Sequence, residues 1–274
     1  MLPLIGSKEF VAWLPTFLQS RKVLIPKVAY PTYNVGAIIA GAEPVAVDLD
    51  AQSWPESDLA WINSPSNPTG RVHTESELKS AINYARSHAT PVVSDECYLE
   101  FGDITEPVSI LSFTGGQNAN ILAVHSLSKR SSMAGYRGAF VIGDPSLIKK
   151  ILEIRKHAGM MVPLPIQHAM IAALSDDTHV VAQRARYNQR RKTLAPALES
   201  IGFRIDHSEA GLYIWCTRGE DSWKSVEALA QLGILVTPGV FYGDDGAQHI
   251  RIAMTATDDA IADAAARITS SKVQ

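Results

Sequence analysis

Two cysteines, Cys97 and Cys216, are all that 274 residues contain. They form neither a disulfide framework nor a metal-ligand pattern, so a reducing cytoplasm is the simplest setting. Long apolar runs are missing as well. None approaches the ~20 residues that a membrane-spanning helix requires. The first residues, MLPLIGSKEF, lack a basic segment followed by a long apolar stretch and do not read as a secretory signal. Charge of one sign is not in excess: 25 Lys and Arg stand against 28 Asp and Glu, a net charge of -3. That balance gives no reason to expect nucleic acid or an anionic membrane as a partner. Internal repeats, low-complexity tracts, a GxGxxG turn, a Walker loop and a metal cluster are absent too, which removes those chemistries from contention. What is present is a chain 46% hydrophobic and 19% charged, enough for a substantial core in one large or two ordinary domains.

Apolar runs alternate with helix-like segments. Strands are expected near residues 2–5, 23–28, 44–49, 59–63, 91–95, 120–126 and 139–143. This alternation predicts an α/β fold with a mostly parallel, doubly wound sheet. Thr74 and Glu77 have the spacing of a capping box, and Leu78, Ala81, Ile82 and Ala85 then make one apolar helix face. Leu147 to His157 reads as a helix, broken by Ala158 to Pro165. Asp177 to Ile201 reads as a helix whose arginines, Arg184, Arg186, Arg190 and Arg191, form an exposed face. With the hinge along that helix, residues 1–175 are the expected large domain and 176–274 a smaller C-terminal α/β domain. The latter has strands at Gly211 to Cys216, Ile234 to Thr237 and His249 to Met254, and helices from Trp223 and Thr257.

The residues with chemistry stand at strand ends, where ligands of open α/β sheets bind. The stretch His125-Ser126-Leu127-Ser128-Lys129, followed by Gly135-Tyr136-Arg137, leaves one apolar run and enters another. A desolvated lysine there is a nucleophile toward a carbonyl, and Arg137 has the fork for a phosphate; a solvated loop has the same composition. Gly6-Ser7-Lys8 joins a strand to a helix start and points N–H groups at an anion, or is an ordinary turn capped by Ser7. Tyr30 can stack on a flat ring or simply pack. Ser64-Pro65-Ser66-Asn67-Pro68-Thr69-Gly70 stops any regular element. Asp95 ends an apolar strand, and a buried acid there keeps a pyridine nitrogen protonated. Alternation turns its neighbour Glu96 to the other side. Arg251, inside an apolar strand, needs an anionic partner, whether a structural carboxylate or a substrate.

These motifs together resemble the fold-type I pyridoxal-phosphate aminotransferases of class I/II, across essentially the whole chain. The carriers are S-x-S-K and G-Y-R around Lys129, N-P-T-G at Asn67, D-x-x-Y at Asp95 and Tyr98, and the Y-P-x-Y that opens at Tyr30. The resemblance implies a seven-stranded large domain with a smaller α/β domain, and pyridoxal 5'-phosphate as cofactor. It implies that Lys129 condenses with the cofactor's aldehyde and then moves a proton between the substrate α-carbon and the cofactor. Gly6, Ser7, Lys8, Ser126 and Arg137 fall to the cofactor, the first three and Arg137 at its phosphate. Tyr30 stacks on its ring, Asn67 and Tyr98 bond its phenolic oxygen, and Asp95 pairs with its ring nitrogen. Arg251, with Asn67 beside it, takes the substrate carboxylate. Amino-acid and 2-oxo-acid substrates, ping-pong kinetics and a homodimer with residues 158–165 at its interface follow.

Within the family, HSLSKRSSMAGYRG, RKHAGMMVPLP, SEAGLYIW and PGVFYG are similar to actinobacterial N-succinyldiaminopimelate aminotransferases of lysine and diaminopimelate synthesis, with glutamate as amino donor. Another class I aminotransferase, for aspartate or aromatic substrates, and a C–S β-lyase share the same lysine chemistry. Relatives carry a further segment ahead of the Gly6 turn, so the chain as written is expected to retain cofactor weakly. A non-catalytic remnant is the alternative of a different class.

Overall fold

The computed structural model describes residues 1–271. Its first half alternates as the apolar runs predict. In order come β1 (Leu2–Ile5), α1 (Ser7–Leu18), β2 (Lys22–Pro26), α2 (Thr32–Ile39), β3 (Glu43–Val47) and β4 (Leu59–Asn63). Then follow α3 (Glu75–Ser87), β5 (Val92–Asp95), β6 (Ile121–Ser126), the single turn α4 (Leu127–Arg130) and β7 (Gly138–Gly143). The Thr74–Glu77 capping box forms and starts α3, which buries the expected Leu78, Ala81, Ile82 and Ala85. Helix α2 has no counterpart in the sequence reading. It packs on α1 so closely that a Cβ at Gly36 would lie 2.8 Å from the Val11 carbonyl oxygen.

The seven strands lie in the order β1-β7-β6-β5-β4-β2-β3. β3, β2, β4, β5 and β6 run parallel, and β7 alone is antiparallel to both its neighbours. Successive side chains point to opposite faces. On β4, Leu59 and Trp61 join the core under α1, α2 and residues 148–151, while Ala60 and Ile62 join the core under α3. The register brings Asn63 beside Asp95, Asp95 beside Val124, Ser126 beside Ala139, and Ile5 beside Gly138. The ends of β1, β4, β5 and β6 and the start of β7 therefore share one edge of the sheet.

Helices α5 (Pro145–His157), α6 (Leu164–Leu174) and α7 (Thr178–Ser200) lead to the second sheet. It comprises β8 (Arg204–Ile205), β9 (Tyr213–Thr217), α8 (Ser222–Gln231), β10 (Thr237–Pro238), β11 (His249–Ala253) and the closing helix α9 (Asp258–Ser270), with strand order β10-β11-β9-β8. The expected strand at Ile234 to Thr237 shrinks to β10, and Leu235 is exposed. The arginine face of α7 needs correction. Arg184 and Arg186 are at the surface, but Arg190 and Arg191 are buried. Arg190 Nε donates to Asp258 at 2.6 Å, and Arg191 Nη1 donates to Asp103 at 2.8 Å. Each guanidinium enters the core because a carboxylate far along the chain meets it. No helix among the described residues is long and apolar enough to cross a membrane. Both cysteines are free and buried.

Candidate active site

A cavity of about 290 Å³ opens at the shared strand edge. It is lined by Ser7, Lys8, Tyr30, Asn67, Asp95, Tyr98, Ser126, Lys129, Arg137 and Arg251, so nearly every candidate residue converges there. Gly6 stands behind its wall. With φ 75° and ψ 150° it occupies a conformation open only to glycine, and a Cβ would lie 2.2 Å from Arg137 Nη2. The guanidinium thus packs against the turn that begins α1. The free N–H groups of that twelve-residue helix, the Arg137 fork and exposed Lys8 make one end of the cavity strongly attractive to an anion.

Lys129 lies in α4, which follows β6 at once. Ser126 caps this turn, its Oγ accepting from the Ser128 N–H at 3.2 Å. Lys129 is half-buried on the cavity wall. The next residue, Arg130, turns away and is buried, with Glu100 at 3.3 Å, Asp177 and the Ala173 carbonyl as partners. That anchor fixes the turn and leaves Lys129 toward the cavity.

Asp95 ends β5 on the same face as Val93 and Trp61 and is buried. Tyr33 donates its hydroxyl to Asp95 Oδ2 at 2.8 Å, and the Cys97 N–H donates to Oδ1 at 3.2 Å. Burial pushes the Asp95 carboxyl above its usual range, and the hydrogen bonds from Cys97 and Tyr33 pull it back. Burial also raises the phenols of Tyr33 and Tyr98 well above the usual tyrosine range, so both stay neutral. The Tyr98 and Tyr213 hydroxyls are 3.2 Å apart, a link between the two sheets.

Asn67 is held by Asn63. Its N–H donates to Asn63 Oδ1 at 2.7 Å, while Asn63 Nδ2 donates to the Asp95 carbonyl at 2.8 Å. Arg251 reaches across from β11 and donates from Nη1 to Asn67 Oδ1 at 2.9 Å. Its guanidinium lies 4.1 Å from the Tyr213 ring centre and 5.2 Å from that of Tyr242. Among the described residues it has no carboxylate partner, and its Nε is buried without an acceptor. A structural ion pair therefore does not explain Arg251. A half-buried guanidinium that lines the cavity without such a partner favours an anionic ligand.

The sequence reading missed Asn63, Cys97 and Tyr213 in the lining and Tyr33 behind it. Asn63 had a signal, being the one polar residue of Leu-Ala-Trp-Ile-Asn. Glu96 and its neighbour in space, His125, face the opposite side of the sheet from the cavity, as alternation requires. They meet at 3.2 Å. Burial raises Glu96 to about 7 and lowers His125 to about 4.

The donor set fits pyridoxal 5'-phosphate: an anion-binding end that a Cβ on Gly6 would spoil, a lysine on the wall, and a buried carboxylate where a ring nitrogen can meet it. Residues 2–268 match the model of the family "Aminotransferase class I and II". The chain is 54% identical to a probable aminotransferase of Mycobacterium tuberculosis, over 98% of its own length and 66% of the relative's. It is 52% identical to the 4-dedimethylamino-4-oxo-anhydrotetracycline transaminase OxyQ of Streptomyces rimosus, over 98% of this chain and 77% of that one. Among solved structures, an aminotransferase from Staphylococcus aureus superposes with a TM-score of 0.90 at 27% identity, covering 97% of this chain and 76% of that one. A probable N-succinyldiaminopimelate aminotransferase from Thermus thermophilus gives 0.87 at 27% identity, covering 98% and 77%. With this sheet, this cavity and this match along nearly its full length, the chain belongs to the class I and II aminotransferases, pyridoxal-phosphate proteins of fold type I.

Proposed function

We propose that the protein transfers an amino group from an amino acid to a 2-oxo acid, with N-succinyl-LL-2,6-diaminopimelate and 2-oxoglutarate as its pair. The observation that carries the reading is Arg251, a guanidinium with no carboxylate partner among the described residues, in the same cavity as Lys129 and Asp95. A carboxylate on Arg251 orients the substrate's α-carbon toward the Lys129 amine. Lys129 takes the α-proton and returns it as base and then acid. Asp95, an anionic partner inside the protein, holds a proton on a ring nitrogen; Asn67 and Tyr98 serve the phenolic oxygen. Ser7, Lys8 and Arg137 anchor the phosphate, with Gly6 leaving room for the guanidinium. Bound, the cofactor supplies an electron sink for the charge released at the α-carbon.

The diaminopimelate substrate rests on segment likeness and on the similarity to LL-diaminopimelate aminotransferases, 34% for the one of Dehalococcoides mccartyi. The 52% identity to OxyQ favours a second reading, an amino acceptor larger than an oxo acid. Residues 1–175 form the cofactor domain in this reading, and 176–274 the smaller one with the connecting helix. A homodimer is supported by the exposed apolar Met161, Leu164, Ile171, Leu174 and Val181. A cytoplasmic setting is supported by the two free thiols.

The test is an absorbance spectrum of the protein with pyridoxal phosphate. Glutamate is expected to change it, 2-oxoglutarate to restore it, and Lys129→Ala to abolish both effects. Candidate acceptors are then compared by the rate of the return step. A spectrum that ignores every amino acid offered would overturn the proposal.

A further inference from the structure

Asp95 is the residue on which the ring chemistry turns, and its surroundings are not generic. Behind it, out of the cavity, lies Tyr33, fully buried in α2. The phenol ring stacks on Trp61, with centres 5.2 Å apart at 24°, and meets Tyr30 edge-on at 5.9 Å. This packing leaves the hydroxyl one direction, toward Asp95 Oδ2 at 2.8 Å. Oδ1 takes the Cys97 N–H, and the Cys97 thiol is tied in turn to Ser7 Oγ at 3.3 Å. Each carboxylate oxygen therefore has one donor from the protein and a lone pair left for the cavity.

We propose that Tyr33 is a positioning residue for the reaction: its hydroxyl, donated to Oδ2, holds the Asp95 carboxylate in the orientation and charge state in which it serves the cofactor's ring nitrogen. The inference rests on the aminotransferase reading of the same cavity. The physical ground is that a hydrogen bond to a charged acceptor strengthens in a dry site and favours the ionised form. Asp95 is otherwise pushed toward neutrality by its burial. The groups that face it are the Tyr33 phenol from α2, the thiol of Cys97 and the phenol of Tyr98 after β5, and the Lys129 amine across the cavity. Of these, only the Tyr33 phenol and the Cys97 residue bond it directly. Tyr33 links two observations that the motif spacing leaves separate: the second aromatic of Tyr30-Pro31-Thr32-Tyr33 and the acid of Asp95-Glu96-Cys97-Tyr98.

The deciding variant is Tyr33→Phe, which keeps the ring on Trp61 and removes only the donor. In the apo-protein, carbon-13 labelling of aspartate follows the Asp95 carboxyl through pH. Its midpoint is expected to move upward in the variant. In the loaded protein, kcat with glutamate is expected to fall about tenfold with KM unchanged, the loss of one hydrogen bond to a charged group. The pH profile of the bound cofactor's absorbance should shift with it. Trp61→Phe disturbs the same packing and leaves the hydroxyl, so a purely structural role predicts equal effects from both variants. Equal effects, or an unmoved Asp95 midpoint in Tyr33→Phe, would overturn the proposal. Should Tyr33→Phe not fold, the wild-type protein decides: the hydroxyl-bearing ring carbon of Tyr33, labelled, must respond to the Asp95 titration, and a flat trace refutes the inference. Failure of the aminotransferase reading looks different, since the wild-type spectrum would then ignore amino acids while the apo-protein titrations still give their answer.

Discussion

Substituting Gly6 by alanine should injure both the fold and cofactor binding. Two separate effects are at work. The backbone at φ 75° and ψ 150° suits glycine alone, and forcing an L-residue there costs on the order of 1–3 kcal/mol. At roughly 2–4 °C per kcal/mol for a chain of this size, the melting temperature should drop by several degrees. The second effect is steric. The new methyl would sit 2.2 Å from Arg137 Nη2 and 2.7 Å from its Cζ, and its three nearest atoms all belong to that side chain. A flexible side-chain end yields easily, so the collision adds little to the stability loss. It does move the guanidinium off the anion-binding end of the cavity. A charge-assisted bond is worth about 1.5–3 kcal/mol, and the lower figure applies because Arg137 is exposed to screening solvent. That converts to a roughly tenfold weaker Kd for pyridoxal phosphate. The assay is a cofactor titration followed by absorbance, beside thermal melts without cofactor. Arg137→Met should match the loss in affinity without the loss in melting temperature. The double variant should bind no worse than Arg137→Met alone, because both changes remove one contact. Wild-type affinity in Gly6→Ala, or losses that simply add, would refute the packing argument.

Other predictions are shorter to state. Glu96→Gln should gain stability relative to the wild type as pH rises from 5 to 8. Glu96 titrates near 7 in the folded protein and near 4.5 unfolded, so the folded state holds the extra proton in that window and loses stability as it leaves. His125, lowered from 6.5 to about 4, works in the opposite sense below 6.5 and is common to both proteins; urea midpoints across pH measure the difference, and parallel curves would contradict it. Glu9→Ala strands Arg155, a guanidinium with no exposed side-chain surface that Glu9 meets at 2.7 and 2.9 Å. Denaturant unfolding should show a loss of about 3–5 kcal/mol. Thr74→Ala removes one half of the capping box on α3 and should lower stability by about 1 kcal/mol in the same assay. Arg251→Lys keeps the charge but not the fork; kcat/KM for glutamate should fall on the order of tenfold to a hundredfold, with an unchanged melting temperature.

Most of the large sheet was legible because its central strands, buried on both faces, are continuous apolar runs between turn-forming residues. The site was legible for a related reason: polar residues that end an apolar run, such as Asp95, stand at the sheet edge where ligands bind. What stayed hidden depends on partners distant in the chain. Helix α2 carries Gly36 inside, a signal against a helix, and Gly36 makes sense only once α1 lies against it. Arg190 and Arg191 look like solvated cations until Asp258 and Asp103 arrive from 68 and 88 residues away. Tyr33 looks like packing until β5 brings Asp95 beneath it. Strands β8 and β10 are two residues long, and two residues hold no period.

Two of the side-chain contacts that cross between the N-terminal and C-terminal parts, Arg251 with Asn67 and Tyr98 with Tyr213, bear on how such proteins can be recombined. Each joins one residue before position 100 to one after position 210. A chimera that exchanges the C-terminal part for a relative's must therefore import two matched halves of a lock. A mismatch at either contact would leave both sheets well folded and the cavity between them misaligned. Libraries built by splicing should treat Asn67, Tyr98, Tyr213 and Arg251 as one inherited block, although no two of them are closer than 31 positions in the chain.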